Sequence, residues 1–364
     1  MNKVINNLKI FTPGRVCLFG EHQDYLMLPI VACAISLRIS VEGKRRNDRL
    51  IKIKLPDLKQ EESFSLNEPI VYGRGRDYFK SSVKVLQKNG FSFSSGFDCT
   101  VTGQIPINAG TSSSSALIVS WINFLTRMSD QSKILDDEKL ARYAYEAEVL
   151  EFSEPGGMMD QYSTSIGGII AIDFFPSVKV TRLNTKLKTF VLGNSNQPKD
   201  TMYILSHVKN KILEVDTILK KIYPNFSLHN IQLSEIKKFS QQLTEDQYLI
   251  LEGTIKNRDL AVAARIELAK NNPNHKLIGK LLTEHHSVLR DILEISTPKI
   301  ESMIKAALDA GAYGAKINGS GGGGCMFAYA PENPEKVKQA IEDAGGEAFI
   351  IIPDSGSREE SVEE

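Results

Sequence analysis

The chain has 364 residues, enough for two domains at roughly 100–200 residues each. Apolar residues make up 41% and charged residues 24%, the balance of a folded globular protein rather than a disordered or membrane-embedded one. Lys and Arg total 44, as do Asp and Glu, so the net charge is zero, and a nucleic-acid binder that works by releasing phosphate counterions is disfavoured.

In chain order, residues 1–110 read as β-rich. Ile35, Leu37, Ile39 and Val41 alternate with polar residues, as do Ile51, Ile53 and Leu55, then Phe97, Cys99 and Val101. A helix over Asp77–Asn89 interrupts them and stops at Gly90. Ala116–Arg127 follows as an apolar helix entered through four serines. Asp136–Phe152 is a second helix, with Asp136 and Asp137 suited to capping its start. Gly167–Ile172 and Thr189–Leu192 return to strand. Beyond them helical spacing dominates: His207–Tyr223, Leu233–Phe239, Gln247–Lys270, Lys276–Ile295 and Lys299–Ala310. Short strands at Ala315–Asn318 and Cys325–Ala330 flank a glycine run, and Pro334–Ala344 (helix) and Ala348–Ile352 (strand) close the pattern. The change of character near residue 180 divides the chain into lobes at 1–180 and 181–353. Residues 354–364 are acidic, almost without apolar side chains, and are expected to be disordered.

The cysteines at 17, 33, 99 and 325 stand far apart, which indicates buried thiols rather than a zinc site or a disulfide framework. The longest apolar stretch, around Leu26–Ile35, is broken by Pro29 and falls well short of the ~20 residues that span a bilayer. With no secretory pattern at the N-terminus, a cytoplasmic location is the expectation.

Three segments carry the chemistry. Pro106-Ile-Asn-Ala-Gly-Thr-Ser-Ser-Ser-Ser-Ala116 follows a strand and opens an apolar helix. Small residues there let a ligand approach the backbone, and the unpaired N–H groups of a first helical turn favour phosphate. No G-x-x-x-x-G-K-[ST] occurs, so this is not a P-loop. Asn318-Gly-Ser-Gly-Gly-Gly-Gly-Cys325 sits between strands, where glycine on this scale implies unusual dihedrals or very close backbone approach. Pro13-Gly-Arg-Val-Cys-Leu-Phe-Gly-Glu-His-Gln-Asp-Tyr25 runs from a strand into a turn whose carboxylates and imidazole suit a polyol.

In this order and spacing the three segments resemble the motifs of the GHMP kinases, specifically the galactokinase branch. Glu154-Pro-Gly-Gly-Met-Met-Asp-Gln161, Val191-Leu-Gly-Asn-Ser-Asn196, Glu284-His-His-Ser-Val-Leu-Arg-Asp291 and Ile295-Ser-Thr-Pro298 are similar to further galactokinase segments. The resemblance implies an α+β, two-lobed fold, with an N-terminal lobe of the ribosomal S5 domain 2-like type and a ferredoxin-like C-terminal lobe. It implies Asp160 and Arg15 as catalytic residues, and Glu21, His22, Asp24, Gly157 and Gly322 as sugar-binding residues. Asn108, Ala109, Gly110, Thr111, Ser112, Ser113, Ser114 and Ser115 would bind ATP, with Ser114 and Glu148 holding Mg2+. The implied reaction is transfer of the ATP γ-phosphate to a sugar, at the anomeric hydroxyl of galactose or a galactose-like sugar. The implied partners are ATP and a small-molecule sugar, without nucleic acid or membrane, in a monomer or small homo-oligomer.

The match departs from galactokinase at Cys17, Gln23, Leu26, Met27 and Leu28, next to the residues that read sugar hydroxyls. Two alternatives follow: a mevalonate-type GHMP kinase, or a catalytically silent galactokinase-like sugar sensor. A turn bearing Glu21 and Asp24 would repel the mevalonate carboxylate, and a silent sensor tends to lose a catalytic group, whereas Asp160, Glu148 and Ser114 are all present.

Overall fold

A computed structural model describes residues 5–199 and 201–360. Strands β1 (Asn7–Phe19) and β2 (Ile30–Arg45) pair antiparallel over most of their length and send Leu8, Ile10, Val16 and Val41 into the core. The hairpin β3 (Leu50–Leu55) and β4 (Gln60–Ser65) is followed by helix α1 (Tyr78–Lys88), which gives way to Gly90 at φ 85°, a conformation that favours glycine. Strand β5 (Phe97–Gly103) inserts between β2 and β3, antiparallel to the first and parallel to the second. Helix α2 (Ser113–Met128) is buried on nearly every side, which explains its apolar composition.

Helix α3 (Asp137–Tyr145) starts at Asp136, whose side chain accepts the Lys139 N–H as expected of a cap. The single helix predicted to Phe152 is shorter than that: the chain passes into one π-helical turn, Glu146–Leu150, and then breaks. Helix α4 (Met159–Ile166) leads to β6 (Ile169–Asp173), which pairs with β2, and β7 (Lys179–Arg182), which pairs with β6. These strands belong to one eight-stranded sheet.

Strand β8 (Phe190–Asn194) begins a second sheet. Helices α5 (Thr201–Ile222), α6 (Glu245–Leu268), α7 (His275–Asp291) and α8 (Pro298–Asp309) follow, then β9 (Gly314–Ile317), β10 (Cys325–Tyr329), α9 (Pro334–Asp343) and β11 (Glu347–Ile351). The second sheet has the order β11-β8-β10-β9 and is antiparallel throughout. Thr244 and Gln247 form a reciprocal cap at the start of α6, and Thr297 with Pro298 sets the start of α8. Leu233–Phe239 is 3-10 rather than α-helical, and α5 begins one and a half turns before the predicted His207.

The two sheets share a core. Val16, Leu18 and Phe19 of β1 lie in one apolar cluster with Leu192 of β8, Phe327 of β10, Ala264 of α6 and Leu282 of α7. The end of β1, where the first motif leaves the strand, is therefore fixed between both lobes.

The acidic segment expected to be disordered from residue 354 is instead docked as far as residue 360. Asp354 accepts from Arg38 Nε at 2.7 Å, Thr12 Oγ1 donates to Ser357 Oγ at 2.8 Å, and Asn123 Nδ2 donates to the same hydroxyl at 2.9 Å. Strand β12 (Arg358–Glu359) pairs with Ile10 and Phe11 of β1, and Glu359 reaches Arg127 at 2.8 Å. Arg38 on the sheet and Arg127 on α2 balance the charge that made this stretch look unfoldable. Residues 361–364 lie outside the described residues.

Candidate active site

The first, second and aspartate-bearing segments converge on one cleft of about 970 Å³, counting its open mouth. Its walls include Arg15, Asp24, Asn108, Gly110, Ser112–Ser115, Glu148, Gly157 and Asp160.

Arg15 points from β1 into this cleft, and its side chain is only 4% exposed. Its Nε and Nη2 both approach Asp160 Oδ1, at 2.8 and 2.7 Å, and its Nη1 donates to the Gly110 carbonyl. Asp160 stands in the first turn of α4, partly open to the cleft. Asp24 Oδ1 accepts the Tyr25 N–H at 2.9 Å and Oδ2 accepts the Met159 N–H at 3.2 Å. A Cβ on Gly157 would lie 2.2 Å from Asp24 Oδ2, so glycine at 157 is what makes room for this carboxylate. Burial, and then the neighbouring Asp160 charge, push Asp24 up to about 6.

Glu21 and His22 also reach the cleft, but their polar atoms are engaged by protein. Glu21 Oε2 lies 2.6 Å from Lys316 Nζ in a pair closed to solvent, and Oε1 accepts the Gly319 N–H at 3.1 Å. Lys316 Nζ further donates to the carbonyls of Cys17 and Ile317, at 3.0 and 2.8 Å. His22 Nε2 lies 3.1 Å from the Ser320 carbonyl, which can only accept, so Nε2 carries the proton and Nδ1 accepts from Tyr25 OH at 3.0 Å. Burial lowers the His22 pKa to about 4, consistent with this neutral ring. Both residues thus fasten the first motif to the third.

The loop ahead of α2 has positive φ at Asn108 (56°), Gly110 (86°) and Ser112 (60°). It turns Asn108, Gly110 and Ser112 towards the cleft, and Ser113–Ser115 supply the free N–H groups of the first helical turn. The alternate residues face the other way. Ala109 is buried in the core with its carbonyl accepting the Cys325 N–H at 2.8 Å, and Thr111 is fully buried with its hydroxyl on the Pro106 carbonyl. Neither lines the cleft, which corrects the expectation that every residue from 108 to 115 faces ATP.

Gly322 is likewise displaced from its expected role. Its N–H donates to the Ile295 carbonyl at 2.7 Å, and a Cβ there would lie 2.2 Å from Ile204 Cδ1. It makes room for α5, not for a sugar; Gly319 and Ser320 are the third-motif residues on the cleft wall.

Glu148 projects from the π-helical turn. It accepts from Gln161 Nε2 at 2.6 Å and faces the hydroxyls of Ser114 and Ser115. Burial raises its pKa to about 7 despite these donors. Among the described residues no three His, Cys, Asp or Glu side chains gather as a metal cluster. Magnesium does not require one, since it keeps water and phosphate oxygens beside one or two protein ligands. The hard oxygens of Glu148 and Ser114, beside the buried and unpartnered Ser112 hydroxyl, fit that ion.

One cation of the cleft escaped the sequence reading. Lys199 follows the Asn194-Ser-Asn196 strand end, and its Nζ is shut from solvent without a hydrogen-bond partner. It lies where a Cβ on Gly110 would come within 2.8 Å, and burial pushes its pKa down to about 8. Nothing local marks it, because its place in the cleft is set against Gly110, about 90 residues earlier in the chain.

Comparison with known proteins accords with this geometry. Residues 77–168 match the GHMP kinases N terminal domain, residues 264–347 the GHMP kinases C terminal domain, and residues 6–45 the galactokinase galactose-binding signature. The chain is 29% identical to the mevalonate kinase of Thermococcus onnurineus, over 96% of this chain and 97% of that one. It is 28% identical to the galactokinase of Pasteurella multocida, over 92% and 89%. Among solved structures, Lactococcus lactis galactokinase complexed with galactose superposes with a TM-score of 0.85 at 20% identity, covering 98% of this chain and 96% of that one. The Methanococcus jannaschii mevalonate kinase gives 0.72 at 20% identity, covering 96% and 99%. Both halves of one fold, matched on either side of this cleft, make the chain a member of the GHMP kinase family.

Proposed function

We propose that the chain is an ATP-dependent sugar kinase that transfers the γ-phosphoryl group to the anomeric hydroxyl of galactose or a galactose-like sugar. The observation that carries this reading is the pairing of two carboxylates, Asp24 and Asp160, in a cleft that is also lined by a serine-rich helix start. Phosphoryl transfer is mainly a matter of positioning and charge stabilisation. Ser112–Ser115 would hold the triphosphate, Asp160 would orient the attacking hydroxyl, and Arg15 fixes Asp160. Ser114 and Glu148 would hold Mg2+, which neutralises charge on the phosphates when bound. Lys199 adds a positive charge beside Gly110.

For the acceptor, Asp24 has both oxygens on backbone N–H groups and lone pairs left for donors, as a polyol supplies. Asp24, held on two backbone N–H groups rather than on a cation, disfavours an acid such as mevalonate beside it, and the galactose-binding signature match supports the sugar reading. The test is ADP release with ATP-Mg and a panel of free sugars and mevalonate. Turnover on mevalonate alone would overturn the sugar assignment, and binding without turnover on any of them would favour a sensor.

Two results should accompany it. Sugar hydroxyls that donate to Asp24 favour its ionised form, so sugar affinity should weaken as pH falls through about 6, where the carboxylate of the empty site takes up its proton. Asp24→Asn should raise the KM for sugar by the equivalent of about 1.5–3 kcal/mol and flatten that pH dependence. An unchanged KM would remove Asp24 from the sugar site. Gly110→Val places a β-branched residue at φ 86° with its Cβ 2.7 Å from the Asn318 carbonyl oxygen. Strain of about 1–3 kcal/mol should weaken nucleotide affinity about tenfold or more while the protein still folds. Calorimetry with a non-hydrolysable ATP analogue would read it.

A further inference from the structure

The three motifs meet at a single side chain outside the reacting groups. Asn318, fully buried, donates from Nδ2 to the Gly110 carbonyl at 2.7 Å and accepts the Cys17 N–H on Oδ1 at 2.9 Å. One planar amide therefore ties β1 to the loop before α2. A carbonyl oxygen has two lone pairs, and the other donor to Gly110 is Arg15 Nη1. Arg15 also donates its own backbone N–H to the Thr111 carbonyl at 3.2 Å and grips Asp160 with its remaining nitrogens. The loop that faces the nucleotide and the carboxylate that faces the acceptor thus hang from the same oxygen.

We propose that Asn318 is a positioning residue that couples the nucleotide loop to the Arg15–Asp160 pair through the Gly110 carbonyl, so that nucleotide occupancy sets Asp160 for the acceptor. The peptide unit is planar and trans, so pinning the Gly110 oxygen also fixes the direction of the following N–H, that of Thr111. Movement of this peptide on phosphate binding shifts an acceptor of Arg15 and, through Arg15, Asp160. Asparagine suits the position because it offers a donor and an acceptor on one rigid fork.

This inference rests on the kinase reading, and the experiment separates the two. In the full chain, hydrogen exchange is followed with and without Mg2+ and a non-hydrolysable ATP analogue. The Arg15 and Cys17 amides donate to Thr111 and Asn318 respectively, so they report on the junction directly. Analogue binding should slow exchange over residues 14–18 together with 108–115. Asn318→Asp keeps the acceptor for Cys17 and loses the donor to Gly110. It should raise the analogue's dissociation constant about tenfold and uncouple the two segments. A merely structural Asn318 would lower the melting temperature and leave both the affinity and the exchange pattern unmoved. That outcome, or wild-type protection confined to 108–115, overturns the proposal, and the wild-type arm decides even if the variant does not fold. If the wild type binds no nucleotide at all, the kinase reading fails first and this inference falls with it.

Discussion

Asp160→Asn is expected to lower turnover on the cognate sugar by about 10²–10⁴-fold, the span of a lost general-base or orienting contribution. The amide keeps the size of the carboxylate and can still accept from Arg15, so the local geometry of α4 should survive. What is lost is the negative charge that, in the proposed reaction, aligns the acceptor hydroxyl. Nucleotide affinity should change little, because the N–H groups proposed to hold the phosphates belong to the start of α2. Steady-state kinetics beside analogue calorimetry checks both halves. Near-normal turnover would remove Asp160 from the chemistry, and with it the role that the resemblance implied for it.

The second large effect concerns stability. Lys316→Met should destabilise the fold by about 3–5 kcal/mol, because it strands the Glu21 carboxylate in a solvent-free site. The loss is not the worth of the ion pair itself. Replacing both partners, Lys316→Met with Glu21→Gln, should recover a substantial part of it, since no bare charge then remains buried. Urea unfolding of the two variants gives the comparison. A single substitution costing under about 1 kcal/mol would mean that solvent reaches Glu21 and that the pair is not the sealed contact described.

Much of the cleft was legible because its groups are local. The alternation of β2, β3 and β5, the serine entry to α2, the Asp136 cap and the Asp24, Glu148 and Asp160 positions are all carried by short stretches of sequence. What could not be read depends on partners distant in the chain. Glu21 looks like a sugar ligand until Lys316 is placed against it, and Lys316 looks like an ordinary strand lysine until Glu21 is. The glycines of the third motif have the same explanation: Cβ atoms on Gly321, Gly322, Gly323 and Gly324 would meet Ile295, Ile204, Gln197 and Ala109 respectively. They admit neighbouring chain rather than ligand. The docked segment after residue 353 was hidden for a related reason, since Arg38 and Arg127, which receive its charge, give no local sign of doing so.

That docked segment also bears on how the molecule is made. Strand β12 covers Ile10 and Phe11 of β1, near the beginning of the chain, yet it is synthesised after the whole of the second sheet and its helices. The first lobe emerges from the ribosome with that stretch of strand uncovered, and it stays so until residues 353–359 follow. An uncovered strand is a template for unwanted pairing. A chain not yet synthesised past residue 353 is therefore expected to be more open to self-association than one in which residues 353–359 have docked.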